Sequence, residues 1–293
     1  MQCEEVIQRN VSGGLVADGG QSTDITVRAD KISFGYTSKG TLKGIDIKAG
    51  RGEFIGLMGP NGSGKTTLMR CLNRLLSIQE GAIYLVNKDV KRMTMMDIAK
   101  VCTTIPANVP DDFSLYVRDF VALGRTPYIT KLWWEGDEDE KLVDEALKEF
   151  GIADYSQRRL TELSSGEKAR VLLAKGVVQQ PKVMLVDEPS AHLDLKYKLQ
   201  VMESLQALAR TGITVITASH DINLLTKYCD KIILLSKGEI VDYGTPREVV
   251  TEDVIRDVYG VEVSIITKND AIFILPLKPA VDGAKAAPLD IGK

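Results

Sequence analysis

The sequence predicts an α/β fold: a mixed-sheet core, an antiparallel β subdomain beside it and a mostly helical insert. Three observations predict it. The apolar run Phe54-Ile55-Gly56-Leu57-Met58 enters a glycine-rich loop, and Leu68, Leu72, Leu75 and Leu76 leave it at helical spacing, giving strand, loop and helix in succession. A second uninterrupted apolar run, Val183-Met184-Leu185-Val186, has the character of a strand buried on both faces, as in a parallel sheet. Short alternating runs over 25–34, 42–48 and 82–86 read instead as antiparallel strands, while between about 107 and 163 strand signals give way to helical ones.

The loop between the first strand and its helix is Gly59-Pro60-Asn61-Gly62-Ser63-Gly64-Lys65-Thr66-Thr67, the complete pattern G-x-x-x-x-G-K-T. Glycines at 59, 62 and 64 permit positive φ and let successive N–H groups approach phosphate oxygens, with the helix N-terminus adding partial positive charge. Lys65 is expected to reach the β and γ phosphates of a nucleotide, and Thr66 to ligate Mg²⁺. ATP and Mg²⁺ are the ligands this chemistry suits.

Composition sets outer bounds. At 293 residues and 44% hydrophobic content, the chain can bury one large core or a core plus a smaller lobe. Lys plus Arg number 37 against 40 Asp plus Glu, a net charge of −3, and no long basic run marks a nucleic-acid footprint. Cys3, Cys71, Cys102 and Cys229 lie far apart with no C-x-x-C pair, which argues against a zinc site and against a disulfide framework. No run of about 18 apolar residues occurs and the first residues lack an apolar signal core, so the chain is expected neither to cross a membrane nor to be exported.

Residues 1–24, with Ser12-Gly13-Gly14 and Asp18-Gly19-Gly20, read as a flexible extension, residues 25–277 as the folded domain with its insert at about 107–178, and residues 278–293 as a flexible tail. Tyr36 follows the first strand and suits either strand-end packing or stacking on a purine. In the insert, 137–150 has an acidic first turn and then Val143, Leu147 and Phe150 on one helical face. Trp133 and Trp134 precede it, as core anchor or as partner contact.

Leu163-Ser164-Ser165-Gly166-Glu167 opens a helix to about Val178, with Ser164 and Glu167 at capping-box spacing. After the buried strand come Asp187 and Glu188, at the end that faces ligands in a doubly wound sheet. Asp187 is expected in the Mg²⁺ sphere and Glu188 as the base that deprotonates an attacking water. A further strand over 213–218 delivers Ser219-His220-Asp221, and His220 is expected at the γ-phosphate. Hairpins over 231–243 and 261–277, turning at Lys237-Gly238 and Asn269-Asp270, read as scaffold.

Over residues 25 to 255 this set resembles the ATP-binding subunit of an ABC transporter, with a P-loop nucleotide-hydrolase core. The resemblance makes Gly59 to Thr67 the Walker A loop, Leu163 to Glu167 the signature motif and Val183 to Glu188 the Walker B strand with its catalytic glutamate. It makes Ser190-Ala191-His192-Leu193-Asp194 the D-loop, His220 the switch histidine and Tyr36 the adenine-stacking aromatic. It implies a head-to-tail dimer in which Ser164, Ser165, Gly166 and Glu167 meet the nucleotide of the other subunit. It also implies integral membrane permease partners, an extracytoplasmic substrate-binding protein acting indirectly, and a peripheral position on the cytoplasmic face of the cell membrane. The segment 117–127 and His220-Asp221-Ile222-Asn223 are similar to importers of iron-siderophore complexes, haem and vitamin B12, with ferric siderophore as the expected cargo. Two positions depart from the family: Ser165 replaces a signature glycine, and Ala107 stands after Pro106 where a glutamine is usual. The alternatives are a clamp or regulator of the same fold without a transport role, and a weakly hydrolysing nucleotide-binding subunit.

Overall fold

A computed structural model of the chain describes residues 24–37, 40–107, 114–129, 137–191, 193–268 and 271–280. Three long or short strands, β1 (Ile25–Phe34), β2 (Leu42–Gly50) and β4 (Glu80–Leu85), form with β5 (Lys88–Asp89) an antiparallel sheet in the order β2-β1-β4-β5. In β1 the buried apolar residues are Val27 and Ala29, then Ile32 and Phe34, so the alternation slips by one. A bulge accounts for it. Lys31 adopts φ 46° and donates its N–H to Asp46 Oδ1 at 2.9 Å, turning both halves of the strand toward the same core.

The second sheet runs β10-β9-β3-β8-β7-β6, where β3 is Phe54–Met58, β6 Cys102–Ile105, β7 Val183–Asp187, β8 Thr214–Ala218, β9 Lys231–Ser236 and β10 Glu239–Gly244. All its pairings are parallel except β9 with β10, the hairpin expected from Lys237-Gly238. Every residue of β3 and β8 is buried, which is why these strands are continuous apolar or Thr/Ala runs. Leu57 and Asp187 both pair with Ala218, and Val186 pairs with Ile105. The segments that follow β3, β7, β8 and β6 therefore emerge side by side at one end of the sheet.

Helix α1 (Lys65–Leu72) leaves the glycine-rich loop but is shorter than the apolar stripe suggested. Asn73 ends it, accepting the Leu75 N–H at 3.0 Å and donating to Thr104 Oγ1 at 2.8 Å, and Leu75 is 60% exposed. Helix α2 (Met95–Val101), which the sequence reading did not separate, starts at a capping box of Thr94 and Asp97 and leads directly into β6.

The insert contains α3 (Val117–Ala122), α4 (Asp137–Glu149) and α5 (Ser165–Val178). Val143, Ala146 and Leu147 of α4 join Val117, Phe120, Val171 and Leu172 in one apolar cluster. Arg125, buried beside it, donates to Val178 O at 3.0 Å, Gln180 Oε1 at 2.9 Å and Asp139 Oδ1 at 2.7 Å, which satisfies a charge that would otherwise be costly there. Trp133 and Trp134 lie outside the described residues.

Helix α6 (Leu195–Arg210) joins β7 to β8, and α7 (Ile222–Tyr228) joins β8 to β9. The chain then forms α8 (Pro246–Val249), α9 (Glu252–Tyr259) and a separate hairpin, β11 (Val261–Lys268) with β12 (Ala271–Pro279). Strand β12 runs two residues past 277: Lys278 and Pro279 pair with Glu262 and Val261, so the ordered hairpin takes in the start of the expected tail.

Candidate nucleotide site

The glycine-rich loop is shaped by what lies beneath it. Gly59 has φ 152°, and a Cβ there would lie 2.1 Å from the Leu235 carbonyl oxygen of β9. The first glycine therefore lets the loop lie close against β9, an approach that a side chain would block. Gly62 (φ 77°) is open to solvent, and Gly64 (φ 108°) caps α1 in the left-handed region that favours glycine. The buried Lys65 ammonium donates to Gly59 O at 2.7 Å and Pro60 O at 3.2 Å. Burial lowers its pKa, while the negative charges of Glu188 and Asp187 oppose that shift.

Thr66 Oγ1 lies 3.4 Å from Asp187 Oδ1, a hydroxyl and a carboxylate converging from α1 and β7. These are hard oxygen donors, and Mg²⁺ characteristically takes one or two protein oxygens and completes its shell with phosphates and water. Ser63 Oγ is buried with no partner among the described residues, a hydroxyl left free within the cradle. Lysine, hydroxyls and carboxylate thus fit a Mg²⁺-nucleotide.

Beyond Asp187 the chain turns sharply: Glu188 has φ 50° and donates its N–H to Ala218 O at 2.9 Å. That turn carries its carboxylate to His220, with Glu188 Oε1 3.1 Å from His220 Nε2 and Glu188 Oε2 accepting the His220 N–H at 3.3 Å. Desolvation raises the pKa of Glu188 and the neighbouring His220 works against the rise. A partly buried carboxylate of raised basicity beside an imidazole is suited to accept a proton.

The other expected residues stand apart. Ser164 caps α5, accepting the Glu167 N–H at 3.4 Å, while Glu167 Oε2 accepts the Ser164 N–H at 2.7 Å. Ser164 and Ser165 are exposed, but Gly166 is buried: a Cβ there would come within 2.7 Å of the Tyr197 ring of α6. Asp194 precedes α6 as an N-cap without a side-chain capping bond, and His192 lies outside the described residues. Tyr36 is 58% exposed, with its ring set edge-on to Phe34 at 5.0 Å and 89°. Ala107 is the second residue after β6, the strand that pairs with β7, and Asn108 lies outside the described residues. Leu235 of β9, whose carbonyl lies beneath Gly59, is a neighbour of the loop that sequence reasoning missed, because no local pattern tells where a distant strand will pack.

Residues 42–191 match the family model described as ABC transporter. The chain belongs to the ABC transporter ATP-binding family. As an ABC ATP-binding subunit it falls in a class of ATPases coupled to transport. It is 33% identical over 261 residues to the petrobactin import ATP-binding protein FpuC of Bacillus anthracis, covering 88% of this chain and 95% of that protein. It is likewise 33% identical to the uncharacterised ABC transporter ATP-binding protein YvrA of Bacillus subtilis, of whose length it spans 59% while 87% of this chain is covered. Further relatives at 31 to 34% identity are named for import of iron(3+)-hydroxamate, hemin and cobalamin. Among solved structures, an ABC transporter assigned to the metal-chelate type matches with a TM-score of 0.76 at 22% identity, over 87% of this chain and 98% of that one. That likeness supports the fold: the mixed-sheet α/β core, antiparallel subdomain and helical insert expected from the sequence. No helix among the described residues is long and apolar enough to cross a membrane.

Proposed function

We propose that this chain hydrolyses ATP to drive import of a metal chelate, with ferric siderophore as the cargo class, through permease subunits supplied by other chains. The observation that carries the hydrolytic reading is the convergence of Lys65, Thr66, Asp187, Glu188 and His220 at one end of the parallel sheet. The cargo class rests on the names of the relatives, which include petrobactin, iron(3+)-hydroxamate, hemin and cobalamin importers.

In this reading Lys65 exchanges its loop carbonyls for the β and γ phosphates, and the N–H groups from Gly62 onward cradle them. Thr66 and Asp187 would hold Mg²⁺, which offsets phosphate charge when bound. Glu188 takes a proton from the attacking water, and His220 holds that carboxylate in place beside the γ-phosphate. Tyr36 stacks on adenine. Ser164, Ser165, Gly166 and Glu167 complete the site of a second copy in a head-to-tail homodimer, and Asp194 lies along that interface. The subunit works on the cytoplasmic face of the membrane and meets the extracytoplasmic binding protein only through the permease.

The test is twofold. Purified protein is expected to hydrolyse ATP only with Mg²⁺, and Lys65→Ala to lose nucleotide binding; retained affinity in that variant would contradict the assigned cradle. Deleting the gene should abolish uptake of a ferric siderophore, whereas normal uptake of iron chelates, haem and cobalamin with loss of a sugar or amino acid would reassign the cargo. Ala107 favours a second reading, a subunit that binds ATP well and hydrolyses it slowly, because alanine offers no amide to orient water.

A further inference from the structure

The hairpin of β11 and β12 is the last element among the described residues, and its free edge is taken up by the helix that follows His220. Asn223 Nδ2 donates to Ile274 O at 3.2 Å and Asn223 Oδ1 accepts the Ile274 N–H at 2.7 Å. One turn on, Thr226 Oγ1 donates to Ile272 O at 2.9 Å. Asn223 and Thr226 are three apart and share a face of α7, while Ile272 and Ile274 are two apart on the edge of β12 away from β11. The side chains of both isoleucines are buried, so these bonds satisfy backbone groups that would otherwise lose water without compensation.

The contact lies close to the site in sequence and in space. Asp221 caps α7 by accepting the Leu224 N–H at 3.2 Å, and His220 is the residue before that cap. His220 is thus held on one side by Glu188 and on the other by a helix whose first turn is fastened to the hairpin. Gly260, in the left-handed region, ends α9 and turns the chain into β11.

We infer that Asn223 is a positioning residue for hydrolysis: by gripping Ile274 through both backbone groups it fixes the start of α7 and so holds His220 against Glu188. The inference rests on the hydrolytic reading above and adds to it a function for the C-terminal hairpin. Its reach follows from geometry, because the His220 ring is largely exposed and its ion-pair partner among the described residues is Glu188.

Steady-state ATPase assays test it. Asn223→Ala is expected to lower kcat about tenfold while KM for ATP stays within about twofold, since small misplacements near reacting groups act on turnover more than on binding. In a His220→Ala background the same change should cost less than about twofold further, because two residues acting through one contact are not additive. A merely structural residue would give an undiminished second loss, and that result overturns the proposal. Asn223→Asp keeps the size and the acceptor for Ile274 N–H but removes the donor; a smaller loss in kcat is expected, and this variant supplies the reading if the alanine protein does not fold. Wild-type kcat in the folded variants also overturns it. Glu188→Gln, assayed alongside, separates the two levels: if that change too leaves the rate intact, the hydrolytic reading fails, whereas a dead Glu188→Gln beside wild-type Asn223 variants removes only the positioning role.

Discussion

Glu188 and His220 meet twice: Oε1 lies 3.1 Å from His220 Nε2, and Oε2 accepts the His220 backbone N–H at 3.3 Å. The pair joins the ends of two adjacent parallel strands, and burial makes the carboxylate more basic. With Glu188 as the base, Glu188→Gln should keep ATP affinity and lower turnover by ~10²-fold or more, the usual contribution of a general base. Rate and equilibrium binding measured on one preparation check this, and an undiminished rate would take Glu188 out of that role.

Gly166 offers a prediction about packing. A methyl there would press on the Tyr197 ring, so Gly166→Ala should destabilise the protein by about 1–3 kcal/mol, the range for overpacking a filled site. Tyr197→Leu, combined with it, should recover much of that loss in urea unfolding. Strict additivity of the two changes would show that the ring is not what the methyl meets.

The cap of α5 carries a pH dependence. Hydrogen bonds from Ser164 hold the Glu167 carboxyl below the usual carboxylate range. Because the folded value is depressed, this stabilisation is present above the unfolded pKa of about 4.3 and fades as pH falls through the lower folded value. Ser164→Ala should therefore cost about 1 kcal/mol at neutral pH and less in acid. Unfolding curves at about pH 7 and about pH 3 compare the two conditions; an equal cost at both would contradict the ionised cap.

Ala107 tests how the site manages without a glutamine. It follows β6, the neighbour of β7, and Pro106 fixes the preceding backbone. Ala107→Gln is expected to raise the ATPase rate several-fold, while Asn108→Ala leaves it unchanged. A large loss on Asn108→Ala with ATP binding intact would show instead that Asn108 provides the amide.

The sequence by itself determined the parts whose information is local. Residues 59–67 specify a phosphate loop because glycine spacing and a flanking strand and helix are contiguous, Ser164 and Glu167 specify a cap, and 183–186 a strand buried on both faces. It also placed Asp187, Glu188 and His220 at strand ends. The tertiary structure alone decided which ends adjoin, since the order β3-β8-β7-β6 depends on long-range pairing that no window of sequence contains. It decided as well that Asn73 stops α1 before Leu75, that Gly166 is glycine because Tyr197 lies over it, and that Asn223 grips Ile274 from 51 residues away. In each case the deciding force is a contact between groups distant in the chain, whose partner exists only once both cores have closed.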